Sequence, residues 1–215
     1  MIVYWILLLI TAFFAYCIGS ISTKRVASRF VFRRNLSRLG TGKLWLSNFK
    51  RIYGWWGFGK LLLVEIAKDL IPIFLGGLLL SLKGHGDVGR AFAGFCLVLG
   101  RLYPVFNGFR GSHASVALVL SVLCVDVSAG VAAAALLLAI GWLSRYVSLA
   151  MVGAALVSIV TAVLVIDNRL LTILCVLTAA LVIIRHVPAM LRLSRGREEK
   201  LVIEDDITYK LDEKF

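Results

Sequence analysis

The sequence predicts an all-α, polytopic integral membrane protein with about seven transmembrane helices. Hydrophobic residues make up 60% of the 215 residues, and the mean hydropathy of +0.91 is too high for a soluble domain of this size. Apolar runs of about 20 residues, long enough to cross a bilayer, recur along the chain with short polar gaps between them. Basic residues collect in alternate gaps, which is typical of the cytoplasmic loops of a membrane protein.

The predicted spans follow the apolar runs in order, near 2–22, 61–82, 88–106, 113–127, 128–144, 147–166 and 169–186. The first run has no basic residue before it and no small-x-small cleavage site near its end, so we expect an uncleaved span. The fourth and fifth predicted spans are short, and their separation depends on Asp126 and Gly130. A re-entrant hairpin there reduces the count to five or six.

The distribution of charged residues among the loops predicts the orientation of the chain in the membrane. Between Thr23 and Gly54 the chain carries nine Lys or Arg residues and no carboxylate. With the N-terminus outside, this loop lies in the cytoplasm together with Arg101, Arg110, Arg145 and the tail from Arg185. The outer turns then hold a balanced set: Lys83, Asp87, Arg90, Asp126, Asp167 and Arg169. Because basic residues resist translocation, we expect this topology, with a cytoplasmic C-terminus, in the inner (plasma) membrane.

Two domains are expected: a transmembrane domain over 1–196 and a charged cytoplasmic tail over 197–215, which contains seven acidic residues. The net charge of +12 is explained by loops that border apolar spans and attract anionic lipid heads, so nucleic acid is not an expected partner. The three histidines lack metal-ligand spacing, and no nucleotide-binding fingerprint is present. No metal or cofactor is therefore predicted.

Five polar segments fall at predicted inner ends of spans: 40–51, 65–68, 100–113, 145–150 and 185–198. The first opens with a Gly-Thr-Gly turn at Gly40 to Gly42, which can aim backbone N–H groups at an anion. In the second, Glu65 and Lys68 share one helical face, while Asp69 is expected to point elsewhere. Either Glu65 and Lys68 form an ion pair, or Lys68 leans toward a phosphate while Glu65 fixes its direction.

The order and spacing of these segments resemble the acyl-phosphate:glycerol-3-phosphate acyltransferase family, the PlsY type of integral membrane enzyme. The most specific motifs are Pro-Val-Phe-x-x-Phe-x-Gly from Pro104 to Gly111 and Arg-Tyr-Val-Ser-Leu-Ala from Arg145 to Ala150. The resemblance extends from Ser20 to about Lys200. It implies transfer of a fatty acyl group from acyl phosphate to glycerol 3-phosphate, among membrane lipids, with release of lysophosphatidate and phosphate.

The resemblance also implies roles for individual residues. The expected catalytic residues are Thr41, Arg51, His113, Ser148 and His186. Those expected to bind substrate phosphate are Gly40, Gly42, Lys43, Ser47, Asn48, Lys68, Arg101, Arg110, Gly111 and Arg185.

Several positions depart from the family pattern. Thr41 and Ser47 keep the hydroxyl expected there, but Lys43 replaces an asparagine and Trp45 a glycine. In later segments three further residues differ from an expected histidine, lysine and asparagine, respectively: Arg101, His113 and Ala189. The change at Ala189 is expected to remove a hydrogen-bond partner of the His186 imidazole. The family framework is therefore present with a rewritten polar centre.

Three interpretations remain open. The chain is an active acyltransferase in which Arg101 and His113 exchange the usual charge and imidazole roles. Alternatively, it is a catalytically degenerate relative that binds lipid or a partner protein, with the candidate contacts Trp45, Trp55, Trp56 and the tail 197–215. A transporter or flippase is disfavoured because few charges lie mid-span and no inverted repeat is visible. The simplest interpretation of the tryptophans is as membrane-interface anchors.

Overall fold

A computed structural model describes residues 2–26, 46–109, 111 and 113–198; for residues 24, 25 and 46–53 it describes the backbone alone. The chain divides into two units. The larger unit comprises Met1–Ile21 and Asp69–Lys200, and the smaller unit comprises Ser22–Lys68 and Leu201–Phe215. In the described ranges every regular element is a helix, which confirms the all-α prediction for that part of the chain.

The larger unit is a set of helices joined mostly by tight turns. They are α1 (Ile2–Ser20), the second part of α3 (Leu46–Ser81), α4 (Gly86–Leu102), a short 3-10 turn (Val105–Asn107), α5 (Ser115–Leu123), α6 (Val127–Ser144), α7 (Val147–Val165) and α8 (Arg169–Ser194). Turns of two to four residues join the sequential pairs from α3 to α4 and from α5 to α8, so helices adjacent in sequence run antiparallel. The side chains of Asp126 and Asn168 accept hydrogen bonds at the N-termini of α6 and α8 and fix two of these turns.

The smaller unit contains α2 (Thr23–Val26) and the first part of α3. Helix α3 is interrupted at Gly54, whose φ of 66° is readily adopted only by glycine. Beyond it Trp55 packs edge-on against Phe58, and the Lys60 ammonium lies 5.1 Å from the centre of the Trp56 ring. Both tryptophans are exposed, as expected for interface anchors.

Five helices in the described ranges are long and apolar enough to cross a membrane: α1, α4 with the 3-10 turn after it, α6, α7 and α8. Each of the seven predicted spans coincides with a helix, but two of these helices fall outside the five. Helix α3 is one of the two, because it carries three charged residues close together: Glu65, Lys68 and Asp69. Helix α5 is the other. Helix α5 has nine residues and a length of about 14 Å, less than half the apolar thickness of about 30 Å. The seven-span topology and its orientation stay predictions.

Helix α4 has the largest buried share of the five candidate spans and lies against α1, α5 and α8. Glycines allow its backbone to approach its neighbours closely. A Cβ atom built on Gly100 would lie 2.3 Å from the carbonyl oxygen of Tyr16, and one built on Gly89 would lie 2.2 Å from that of Gly76. These approaches fix how α4 is rotated against α1 and α3, and hence which of its side chains enter the core.

The outward faces of the helices carry large apolar side chains. Leu9 of α1, Leu138 of α6 and Leu164 of α7 are 70%, 71% and 77% exposed, respectively, within the chain. Soluble monomers rarely expose apolar area on this scale. Together with the helix lengths, these faces indicate contact with lipid acyl chains.

Candidate active site at one end of the helices

Helices α7 and α8 form an antiparallel hairpin that brings Ser148 and His186 to the same level. Ser148 lies seventeen residues before Val165, where α7 ends, and His186 lies seventeen residues after Arg169, where α8 begins. At 1.5 Å per residue, both therefore lie about 26 Å from the turn that joins the helices. Both side chains are buried, and the Ser148 hydroxyl has no hydrogen-bond partner among the described residues. A buried hydroxyl of this kind is suited to a polar ligand.

The His186 imidazole is held in one tautomer by its own helix. Its Nδ1 lies 2.7 Å from the carbonyl oxygen of Val182, and since a carbonyl only accepts, Nδ1 must donate. In the neutral ring, Nε2 is then the atom with the lone pair. Ala189, which stands at the expected asparagine, has no side-chain hydrogen-bonding group, and the Val182 carbonyl one turn earlier supplies a bond to the imidazole instead. His186 is therefore oriented for proton transfer at Nε2.

His113 joins this group from the segment between α4 and α5. The ring centres of His113 and His186 lie 5.5 Å apart, with the ring planes tilted by 50°. Two residues of positive φ, Gly108 at 56° and Phe109 at 58°, bend the chain back after the 3-10 turn. Gly111 then packs on the last turn of α4, where a Cβ atom would lie 2.1 Å from the carbonyl oxygen of Leu102. Only glycine permits this approach, which places His113 beside α8.

Arg185 supplies the cation of the site. Its guanidinium carbon lies 5.9 Å from the centre of the Tyr103 ring, within the range of a cation–π contact. Its Nε has no hydrogen-bond partner among the described residues. Tyr103, in turn, is tied to α1 because its carbonyl oxygen accepts a hydrogen bond of 2.8 Å from the Tyr16 hydroxyl. A fixed guanidinium with an unused buried donor fits an anionic group.

Arg101 lies in the last turn of α4, two residues before Tyr103, and its side chain forms a buried ion pair. Its Nη2 donates to Asp69 Oδ1 of α3 over 2.6 Å; Asp69 is 0% exposed and Arg101 6% exposed. The sequence did not predict this pair, since Asp69 was expected to point away from its charged neighbours. An aspartate within an apolar helix is itself a signal that a cation lies nearby, and this signal predicts a pair of the kind that Asp69 forms.

The structure brings together six of the predicted site residues in the larger unit, at the α4 end, in the 103–114 segment and on α7 and α8: Arg101, Gly111, His113, Ser148, Arg185 and His186. Lys68 belongs to the smaller unit. Ser47, Asn48 and Arg51 lie on α3, where only the backbone is described. The remaining predicted residues lie outside the described residues: Gly40, Thr41, Gly42, Lys43 and Arg110. Trp45 and 199–215 of the tail also lie outside them.

A buried hydroxyl, an oriented imidazole and a guanidinium together can bind an oxyanion and accept a proton from a nearby hydroxyl. Burial on three helices and one short loop holds these groups in place and limits water. In the described residues no group of three or more His, Cys, Asp or Glu side chains is arranged to hold a metal ion. The chemistry of this cluster is that of acid–base and anion-binding side chains.

Comparison with known proteins agrees with the resemblance found in the sequence. The glycerol-3-phosphate acyltransferase family model matches residues 9–196. The glycerol-3-phosphate acyltransferase of Thermoanaerobacter pseudethanolicus is 26% identical over 192 residues, 89% of this chain and 94% of the relative. That of Staphylococcus saprophyticus is 27% identical over 200 residues, 91% of this chain and 98% of the relative.

Two crystal structures of PlsY, an integral membrane glycerol 3-phosphate acyltransferase, are similar in fold. The glycerol 3-phosphate form has a TM-score of 0.73 and 27% identity, and covers 90% of this chain and 94% of PlsY. The lysophosphatidic acid form has a TM-score of 0.74 and 26% identity, and covers 91% and 96%. From the matched length and the shared integral membrane fold, the chain belongs to the glycerol-3-phosphate acyltransferase family.

Proposed function

We propose that this protein is a membrane acyltransferase that moves a fatty acyl group from acyl phosphate to glycerol 3-phosphate, or to a related hydroxyl acceptor, in phospholipid biosynthesis. The observation that carries the proposal is the grouping of Ser148, Arg185, His186 and His113 at one end of a set of lipid-exposed helices. Family membership supplies the substrate class, and the cluster supplies the chemistry that this reaction needs.

The oriented imidazole acts as the general base. The hydroxyl of the acceptor gives its proton to His186 Nε2 as its oxygen forms an ester bond to the acyl carbonyl carbon. The bond from that carbon to the phosphate oxygen breaks, and phosphate leaves with the electron pair and takes the proton back from His186. Because acyl phosphate is already activated, positioning and charge stabilisation supply much of the rate.

The cationic side chains bind the phosphates of the two substrates. Arg185, stacked on Tyr103, points a buried Nε donor at one phosphate, and the Ser148 hydroxyl donates to a substrate oxygen. His113 beside His186 adds a second imidazole where the family pattern has a lysine. The predicted roles of Lys68 and of the 40–51 segment, with Thr41 and Arg51 as its catalytic residues, remain part of the proposal.

We further propose the seven-span topology with an external N-terminus, which places the site on the cytoplasmic face of the plasma membrane. Arg101, Arg145 and Arg185, like the basic loop, then lie on the internal side. There the phosphorylated acceptor is supplied from water while the acyl chain stays in the bilayer. Residues 1–196 form the catalytic domain in this scheme, and 197–215 form a cytoplasmic tail.

The test measures phosphate release by the protein reconstituted in lipid vesicles, with palmitoyl phosphate and glycerol 3-phosphate. We expect His186→Ala to reduce turnover by about a hundredfold or more, since a general base contributes on this scale. Arg51→Ala should abolish turnover. His85→Ala is the matched control. His85 precedes the first residue of α4, at the opposite end of that helix from the candidate site, and its ring packs against Tyr4 of α1.

Absence of turnover with glycerol 3-phosphate and with other small hydroxyl acceptors would favour the alternative, a catalytically degenerate lipid-binding or partner-binding subunit. The exposed Trp55 and Trp56 on α3 are the observation that supports this alternative. A stoichiometric partner that co-purifies with the full chain and is lost on deleting 197–215 would establish it.

A further inference from the structure

The Asp69–Arg101 pair joins α3 to α4, and both of its side chains are buried. Asp69 opens the part of α3 that belongs to the larger unit, and Arg101 lies in the last turn of α4. Ile73, one turn after Asp69, and Leu97, one turn before Arg101, are both fully buried. A buried apolar side chain thus lies one turn from each charge, and the 2.6 Å bond from Nη2 to Oδ1 is a charge-assisted hydrogen bond.

Each charge of this pair stabilises the other, because both are buried. A buried charge without a counter-charge is costly, and breaking one side of a buried pair leaves the remaining ion uncompensated. The pairing also restricts the guanidinium. Arginine is a long side chain with many rotamers, but a planar group held at one Nη atom keeps its other N–H donors in defined directions.

The position of Arg101 links the pair to the proposed site. Tyr103, two residues on, carries the Arg185 guanidinium on its ring. Gly111 packs directly on the backbone of Arg101 and Leu102. The backbone of Arg101 therefore contacts the residues that position both Arg185 and the His113 segment, and its side chain is held by Asp69 of α3.

We propose that Asp69 is a positioning residue: it fixes the Arg101 guanidinium in the orientation in which it binds the phosphate of the acceptor, and it offsets one positive charge of the site. The inference rests on the proposed function, because it takes glycerol 3-phosphate as the ligand. In this proposal Asp69 acts on substrate binding through Arg101 and makes no contact with the substrate itself.

Asp69→Ala should raise the KM for glycerol 3-phosphate by about tenfold or more, the scale of a lost charged hydrogen bond, with a smaller effect on kcat. Asp69→Asn keeps the size of the side chain and an oxygen acceptor, so it folds and gives an intermediate KM. Asp87→Ala is the matched control, since it removes an aspartate from an exposed pair with Arg90 near the start of α4. Its KM should equal that of the wild type.

A double-mutant cycle separates positioning from a structural role. If Asp69 acts through Arg101, Asp69→Ala should leave the KM unchanged in an Arg101→Ala background, although it raises the KM in the wild type. If the pair only holds the helices together, Asp69→Ala lowers the melting temperature and leaves the KM of the folded protein unchanged. That second result would overturn the proposal while the acyltransferase function stood.

Calorimetric titration of the same variants with glycerol 3-phosphate distinguishes the two proposals. Loss of affinity in Asp69→Ala, in a protein whose wild type shows no turnover, would support positioning and refute catalysis. Equal affinity in the wild type and in Asp69→Ala would overturn positioning, whatever the turnover. Wild-type protein that neither binds nor turns over the ligand would overturn both.

Discussion

Replacing Gly111 with alanine should push the segment that carries His113 away from the end of α4. The added Cβ would lie 2.1 Å from the carbonyl oxygen of Leu102 and 2.5 Å from that of Arg101, whereas real Cβ atoms essentially never approach within 3.0 Å. The opposing atoms belong to the last turn of a hydrogen-bonded helix, so the loop moves rather than the helix. Relief of the shorter contact requires a shift of about 1 Å.

The shift has a structural and a catalytic cost. Overpacking of this kind destabilises a protein by about 1–3 kcal/mol, which the fold should survive. His113 follows two residues later and lies 5.5 Å from the His186 ring, so it moves with the loop. A misplacement of about 1 Å at a reacting centre can reduce the rate by about a hundredfold. Activity should therefore fall far more than stability.

Phosphate release and thermal unfolding are measured in parallel on the reconstituted protein. The matched control is Gly141→Ala in α6, where the nearest atom to the added Cβ is that of Ala150 at 3.7 Å, an ordinary contact. That variant should keep wild-type activity. If Gly111→Ala folds and retains wild-type kcat, the close approach at Gly111 does not position the site.

Two further predictions concern Tyr103 and Asp126. Tyr103→Leu removes the ring under the Arg185 guanidinium and should raise the KM for phosphorylated substrate several-fold, on the scale of about 1 kcal/mol. Tyr103→Phe keeps the ring and should keep the wild-type KM. Equal KM values in the two variants would contradict a role for this contact. Asp126→Ala removes the N-cap of α6 and should cost about 1 kcal/mol of stability by thermal unfolding. Hydrogen bonds from the Ser128 hydroxyl and the Ala129 N–H lower the pKa of Asp126 below its usual 3.8, so this contribution is present above that pH and is lost as the pH falls through the lowered pKa. A difference between wild type and Asp126→Ala that persists unchanged down to pH 2 would contradict this assignment.

The helices of the larger unit were largely predictable because their apolar runs are long and sharply bounded. The run near 147–166 becomes α7 (Val147–Val165), and the run near 2–22 becomes α1 (Ile2–Ser20). The predicted helix ends are wrong where the apolar run ends but the helix continues. Helix α8 continues from the predicted end at 186 to Ser194 with Pro188 inside it, so the residues that end the apolar run do not end the helix.

The candidate site was predictable where a motif marked it and not where geometry decided it. His186, Ser148 and Gly111 stand out through their motifs. The pairing of Asp69 with Arg101 depends on how α3 is rotated against α4, and that rotation is set by the close approach of Gly76 and Gly89. No local pattern reports a contact between residues 32 positions apart along the chain. Likewise, the hydrogen bond from His186 Nδ1 to the Val182 carbonyl depends on the rotamer of the histidine side chain, which sequence spacing does not encode.

Formation of the acyl ester is the most direct test of acyltransferase activity. Reconstituted wild-type protein is incubated with palmitoyl phosphate and glycerol 3-phosphate, and the lipid extract is analysed by mass spectrometry. We expect lysophosphatidate in amounts that grow with time and depend on both substrates and on His186. Unchanged substrates after prolonged incubation, with the protein shown to be folded, would contradict it.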